Sequence, residues 1–192
     1  TGDGGMITTN NEAYRDRIKL LRQHAMSIND RIRHESDKVI FEDHVELGYN
    51  YRMTDIQAAV GIKQLEKLDK IVAERRKVAF KYHQAFKDIN CIQLPLEADG
   101  YFSNYQSYNV YLKPSCKISR NDLMQALLDE GISTRRGVTT AHRETAYKNY
   151  QSNYSLPISE DTSDRSIVLP LFYPMTDNEI NYVIDHFIRL VQ

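Results

Sequence analysis

Apolar residues recur at helical spacing through the first half of the chain and switch to a period of two after Asn90, so helices are expected first and a mixed layer afterwards. Gly2 to Gly5 read as a turn, and the following MITTN as a short strand. Thr9 with Glu12 makes a capping box for a helix through about His24, whose face carries Tyr14, Ile18 and Leu21. Residues 27–46 hold Ile28, Ile32, Val39, Ile40 and Phe41 at no sustained period and read as a loop with some local structure. From Asp55 a helical pattern runs through Ile62, Leu65, Leu68, Ile71, Val72, Ala79 and Phe86, long enough to predict a bend or break near Lys70. Strands are then expected at Ile92 to Leu94, Tyr105 to Leu112, around Ile132 to Val138, and at VLPLFY near Val168. Helices separate them. Ser119 and Asp122 cap the run LMQALLDEGI, which Gly131 ends, and Thr176 with Glu179 caps the last helix. Alternating strands and helices predict a compact α+β or α/β layer domain in this half.

Composition narrows the function more than the fold. The 192 residues are 41% hydrophobic and 27% charged with a formal net charge of −1, which gives no global pull toward nucleic acid or an anionic membrane. The charges Glu74, Arg75, Arg76 and Lys77 read as the solvated face of a helix rather than a nucleic-acid stripe. Apolar runs are too short to span a bilayer, and no signal-peptide succession opens the sequence. Cys91 and Cys116 share no CxxC spacing and no histidine at ligand spacing, so reduced thiols in the cytoplasm are expected and a metal site is not. Thr1 opens directly on a glycine-rich turn, which reads as the middle of a longer gene product.

The segment LGYNYRMTDIQAAVG, Leu47 to Gly61, carries the densest chemistry. Thr54 and Gln57 form a capping box, and Ile56, Ala59 and Val60 begin an apolar face behind it. Ahead of that helix, Gly48, Tyr49, Asn50, Tyr51 and Arg52 set one amide, one guanidinium and two phenols on a short loop. An amide or guanidinium donating to a phosphate gains roughly 1.5–3 kcal/mol. The same composition also suits an interfacial turn whose tyrosines only pack.

Together, TGDGG at the start, LLRQHAM at 20–26, the Leu47 to Asp69 block, GISTRRGVTTAHRETAY at 131–147 and LPLFYPMTDNEINYVIDHF at 169–187 resemble one family. It is the DegT/DnrJ/EryC1/StrS family of sugar aminotransferases, which depend on pyridoxal 5'-phosphate (PLP). The likeness runs through nearly the whole chain in order, and GYNYRMTDIQAA is its most specific part. It implies the C-terminal part of a fold-type I transferase: residues 1–53 as a remnant of the large PLP-binding domain, 54–90 as long connecting helices, and 91–192 as a small α/β domain. In the family the lysine that tethers PLP stands a few residues before the TGDGG-like turn, so the resemblance implies that it lies upstream of Thr1. The chain alone is therefore expected to be inactive, since no lysine here replaces that amine in its role as tether and proton shuttle.

The resemblance also implies a division of labour. The asparagine of the GYNYR loop reaches across a twofold interface to the neighbour's PLP phosphate in the family, which assigns cofactor binding in a homodimer to Asn50. Tyr49, Tyr51 and Arg52 either touch the phosphates of a nucleotide-sugar substrate or support the loop. Two successive arginines on an emerging strand point to opposite faces, and of Arg135 and Arg136 the second is taken as the substrate residue. His142 stands where many members carry a histidine close to the sugar, although RRGVTTAH here replaces a tyrosine and proline before it. A surface or interface histidine is the other reading of it. His24 stands where the family often has His-Gly, with Ala25 in place of that glycine. The implied parent enzyme aminates a nucleotide-linked keto-sugar with glutamate as donor, for amino-sugar and polysaccharide synthesis. Two rivals stand beside it: a dehydratase of the same family, with histidine in place of the lysine, and a non-enzymatic dimerisation or binding module.

Overall fold

A computed structural model describes residues 1–28, 32, 35–150 and 155–192, without the side chains of 148 and 150. These residues form two compact units, Thr1–Lys67 and Leu68–Gln192. The reading of 27–46 as a loop falls partly on residues 29–31 and 33–34, which lie outside the described set.

The first unit holds helix α1 (Glu12–Leu21) and helix α2 (Asp55–Leu65). α1 is shorter than its apolar pattern suggests because His24 and Ala25 adopt left-handed backbone, with φ of 60° and 51°. Its cap also differs: Asn11, not Thr9, accepts from Tyr14 N, while Thr9 Oγ1 accepts from Asn11 N. Met6 to Asn10 form no strand, since no described backbone segment offers them a ladder. For α2 the capping box forms as expected, with Gln57 N donating to Thr54 Oγ1 and Thr54 N to Gln57 Oε1. Neither helix has a buried residue, and Ala25 is the unit's one buried hydrophobic side chain among those described. Phe41, Leu47 and Ile56 are each at least 80% exposed. Among the described residues this unit has no core of its own.

In the second unit, α3 (Leu68–Phe86) follows at once, so the helical pattern breaks at Glu66–Lys67, close to the break expected near Lys70. A four-stranded antiparallel sheet comes next, ordered β1-β2-β4-β3, from β1 (Ile92–Gln93), β2 (Tyr108–Leu112), β3 (Arg135–Arg136) and β4 (Ser166–Leu169). β2 begins later than its alternating pattern because Tyr105 is left-handed, φ 43°, and its N–H turns to Ser103 Oγ. Pro170 ends β4. The register pairs Tyr108 with Leu169 and Val110 with Ile167. Those side chains share one sheet face and pack against α3, α4 (Arg120–Asp129) and α6 (Asp177–Val191). The contacts fall where the helical period places them: Val78, Tyr82 and Phe86; Leu123 and Leu127; Ile180, Val183, Phe187 and Val191. Each such large apolar side chain contributes roughly 1.5–3 kcal/mol on burial. Tyr111 points to the other face, where its hydroxyl donates to Asp161 of α5 (Pro157–Arg165) at 2.5 Å. No described helix is long and apolar enough to cross a membrane.

Two polar contacts fix this core. Tyr82, fully buried, donates to the carbonyl of Pro170 at 2.8 Å, and burial pushes its phenol far above the usual range. Removing that hydroxyl in Tyr82→Phe is expected to cost about 1 kcal/mol, read from the urea midpoint. Arg76 departs from the solvated face expected for its stretch. Its guanidinium forks onto both oxygens of Glu97 at 2.9 and 3.0 Å, donates to Ser103 O at 2.6 Å and stacks 4.2 Å from the Phe102 ring centre. The Arg76 guanidinium, with the Ser103 N–H, holds the Glu97 carboxyl below its usual range. A depressed carboxylate stabilises above its unfolded value and ceases to as pH falls through the folded one. Acidification below roughly pH 4 is therefore expected to release the loop between Leu94 and Tyr105, seen as faster proteolysis there.

Candidate functional site

The Asn50 loop is built by backbone before any side chain acts. Tyr49 N donates to Leu21 O at 2.7 Å, Tyr51 N to Arg22 O at 2.8 Å and His24 N to Tyr49 O at 2.9 Å. These bonds lay residues 49–51 alongside the exit of α1, with Asn50 bridged antiparallel to Gln23. On the other side of the same turn, Val45 N donates to Ala25 O at 3.1 Å and Ser27 N to Asp43 O at 2.8 Å. The left-handed pair His24–Ala25 thus lies between two segments it holds together. Gly48 is the position that allows the close approach: a Cβ there would lie 2.2 Å from Ala25 N and 2.3 Å from the carbonyl carbon of His24. Ala25 takes up the left-handed turn without the glycine's freedom, and its methyl is fully buried.

On this extended backbone neighbours alternate in direction. The rings of Tyr49 and Tyr51 stack with centroids 5.1 Å apart and planes 3° from parallel, so the two phenols share one side and Asn50 stands on the other. The four candidates of this loop are adjacent, but the phenols do not converge with the amide. Asn50 is exposed, and its amide makes no hydrogen bond to the described residues. Arg52 is exposed beside it, just before the Thr54 cap of α2. A donor amide on a doubly braced backbone fits one oxygen of a phosphate presented from outside the unit. The loop supplies no lysine and no carboxylate for the rest of a cofactor site.

Arg136 and His142 belong to the second unit. On β3, Arg135 pairs with Val168 and Arg136 with Ile167, so the two guanidinium groups leave opposite faces as the strand period requires. Arg136 is exposed, with Nη2 3.9 Å from Glu144 Oε1. It also lies near Arg120, whose buried guanidinium donates to Ser163 O and Ser166 O; burial, then the Arg136 charge, lower the pKa of Arg120. His142, in a short 3-10 turn (Ala141–Arg143), sits at a cleft of about 510 Å3 lined also by Val138, Thr140, Leu156, Ile158 and Thr162. Its Nε2 donates to Glu160 Oε1 at 2.9 Å, and the same carboxylate accepts from Leu156 N at 3.1 Å. That imidazole bond, with the Leu156 N–H, keeps the Glu160 carboxyl below its usual range. The pair fixes the direction of the His142 ring and anchors the start of α5. Nothing in the sequence marked Glu160 as its partner, because the polar run PISEDTSDR carries no apolar period and gave no expectation of a helix.

The sequence matches the DegT/DnrJ/EryC1/StrS aminotransferase family over residues 1–188. The chain belongs to that family. Solved structures agree in fold. Helicobacter pylori PseC, an aminotransferase of pseudoaminic acid biosynthesis, is 22% identical and superposes with a TM-score of 0.79 over 95% of this chain and 47% of its own. The PLP form of Spr1654 from Streptococcus pneumoniae is 23% identical, with a TM-score of 0.81 over 97% of this chain and 45% of its own. A family aminotransferase from Brucella abortus is 26% identical, with a TM-score of 0.76 over 95% and 45%. The chain thus spans about half the length of these structures. Its helices and small antiparallel sheet match the C-terminal portions of fold-type I aminotransferases.

Proposed function

We propose that these residues are part of a cytoplasmic, PLP-dependent homodimeric aminotransferase that aminates a nucleotide-linked keto-sugar with glutamate, for amino-sugar synthesis. The observation that carries the reading is the Asn50 loop: an exposed amide, without a hydrogen bond to the described residues, on paired backbone, in a family represented by PLP-form and PMP-form structures. When bound, PLP supplies an electron-withdrawing ring that labilises bonds at the amine-bearing carbon. Asn50 would donate to its phosphate in the neighbouring subunit, and Arg52 would add positive charge on the same loop. Arg136 and His142 would meet the substrate, with Glu160 orienting the imidazole of His142. The exposed Phe41, Leu47 and Ile56 support an assembled first unit, because apolar surface of that extent is ordinarily covered.

Borohydride reduction of the full-length protein with PLP, then peptide mapping, is expected to place the cofactor on a lysine shortly before Thr1. A histidine at that place would make the protein a dehydratase and overturn the aminotransferase reading. Residues 1–192 alone, mixed with PLP, are expected to show none of the visible absorbance of lysine-bound cofactor.

A further inference from the structure

Cys91 and Cys116 share no motif in the sequence, yet the second unit brings them together. Cys91 immediately precedes β1, and its carbonyl accepts from Lys113 N at 2.9 Å, one step beyond the paired residues Ile92 and Leu112. Lys113 O in turn accepts from Cys116 N at 2.9 Å, so the chain leaving β2 turns back on itself and returns Cys116 to the side of Cys91. Both side chains are half-buried and pack against the edge of the core. Cys91 Sγ also donates to the carbonyl of Val191 at 3.4 Å, at the end of α6.

We infer that Cys91 and Cys116 form a reversible intramolecular disulfide that locks the start of β1 to the turn after β2 whenever the protein meets a low-molecular-weight disulfide. The ladder and turn that hold both backbones, and the packing of both side chains against one edge of the core, support it. Burial, then the thiol of Cys116, holds the Cys91 thiol above its usual range, so the exchange begins at Cys116. The Cys116 thiolate attacks one sulfur of the small disulfide, whose S–S bond breaks and releases one thiol. Cys91, giving its proton to solvent, then attacks the Cys116 sulfur of the mixed disulfide and expels the second thiol. Both protein thiols are oxidised, and one small disulfide is reduced to two thiols. A reducing glutathione pool reverses the step. The closed ring contains β1, the loop held by Arg76 and the whole of β2, so oxidation restricts the unfolded chain over a long stretch.

The test is incubation of the 192-residue chain with oxidised glutathione under native conditions. Expected are loss of both titratable thiols, a mass lower by two hydrogens, a peptide pair joining Cys91 to Cys116, and a Tm higher by about 5 °C that dithiothreitol reverses. Cys91→Ser and Cys116→Ser are each expected to stop at a stable glutathione adduct with no such rise. Glutathione adducts persisting on the unsubstituted chain, disulfides between chains, or an internal cross-link that leaves Tm unchanged would each overturn the inference.

Discussion

Asn50→Ala in the full-length enzyme is expected to weaken PLP binding by roughly 10–100-fold while leaving its fold and dimerisation intact. The factor follows from one hydrogen bond to a charged oxygen, roughly 1.5–3 kcal/mol. The fold is spared because the Asn50 amide makes no hydrogen bond among the described residues, while the backbone bonds of Tyr49 and Tyr51 hold the loop whatever side chain stands between them. Titration of the cofactor-free enzyme with PLP measures the first effect, and sedimentation checks the second. Asn50→Asp should be worse than alanine, since it sets a carboxylate against a phosphate. Subunit exchange decides whether the contact crosses the dimer. A subunit lacking only the tethering lysine, mixed with one carrying only Asn50→Ala, forms heterodimers in which one site has both groups if Asn50 serves its neighbour. Activity near half that of an intact dimer is then expected. If Asn50 served its own subunit, both sites of the heterodimer would be damaged, and at limiting PLP the mixture would show no activity beyond that of the Asn50→Ala enzyme.

What could be read from the chain beforehand follows the range of the interactions. The capping boxes Thr54–Gln57 and Thr176–Glu179 and the Ser119 cap depend on residues three apart, and all of them form. The alternation in β2 and the apolar period of α6 were likewise visible because each element presents one face to a core. Errors arose where a local pattern needed a distant partner or had a local competitor. MITTN alternates well enough for a strand but meets no ladder, and Asn11 displaces Thr9 because it too can cap α1. The left-handed turn at His24 and Ala25 carried no signal in its own residues, since neither is a glycine, and only the family's His-Gly at that place pointed to a turn. Helix α5 buries only Ser163, so it has no apolar stripe to announce it. For the site, the Asn50 loop was legible as composition, but the opposed directions of Asn50 and the stacked tyrosines required backbone geometry. The pairings His142–Glu160 and Cys91–Cys116 link separate elements and could not be seen in either segment alone.

Gly48→Ala is expected to do more damage than any change to the loop's side chains, although it adds a single methyl group. That carbon would lie 2.2 Å from Ala25 N, 2.3 Å from His24 C and 2.7 Å from His24 Cα, all backbone atoms with no rotamer to give way. His24 and Ala25 cannot retreat easily, because their left-handed conformation is itself held by Val45 N on Ala25 O and by His24 N on Tyr49 O. Relief requires the 48–51 segment to separate from the end of α1, which breaks the bonds from Tyr49 N, Tyr51 N and His24 N. At roughly 1 kcal/mol net for each bond, the loss comes to about 3 kcal/mol, comparable with strong overpacking of a core. The same displacement moves Asn50, and an error of about 1 Å in a positioning group can cost a hundredfold in activity. Thermal unfolding of the full-length variant should show the lower Tm, and PLP titration should show weakening at least as large as in Asn50→Ala. Gly61→Ala in α2 is the matched control: its Cβ would meet only the methyl of Thr1 at 3.1 Å, a side-chain atom that can rotate away. Alanine also favours a helix interior by about 1 kcal/mol over glycine, so that substitution is expected to leave stability unchanged or raise it. Equal damage from the two changes would mean that close backbone packing at Gly48 does not set the loop.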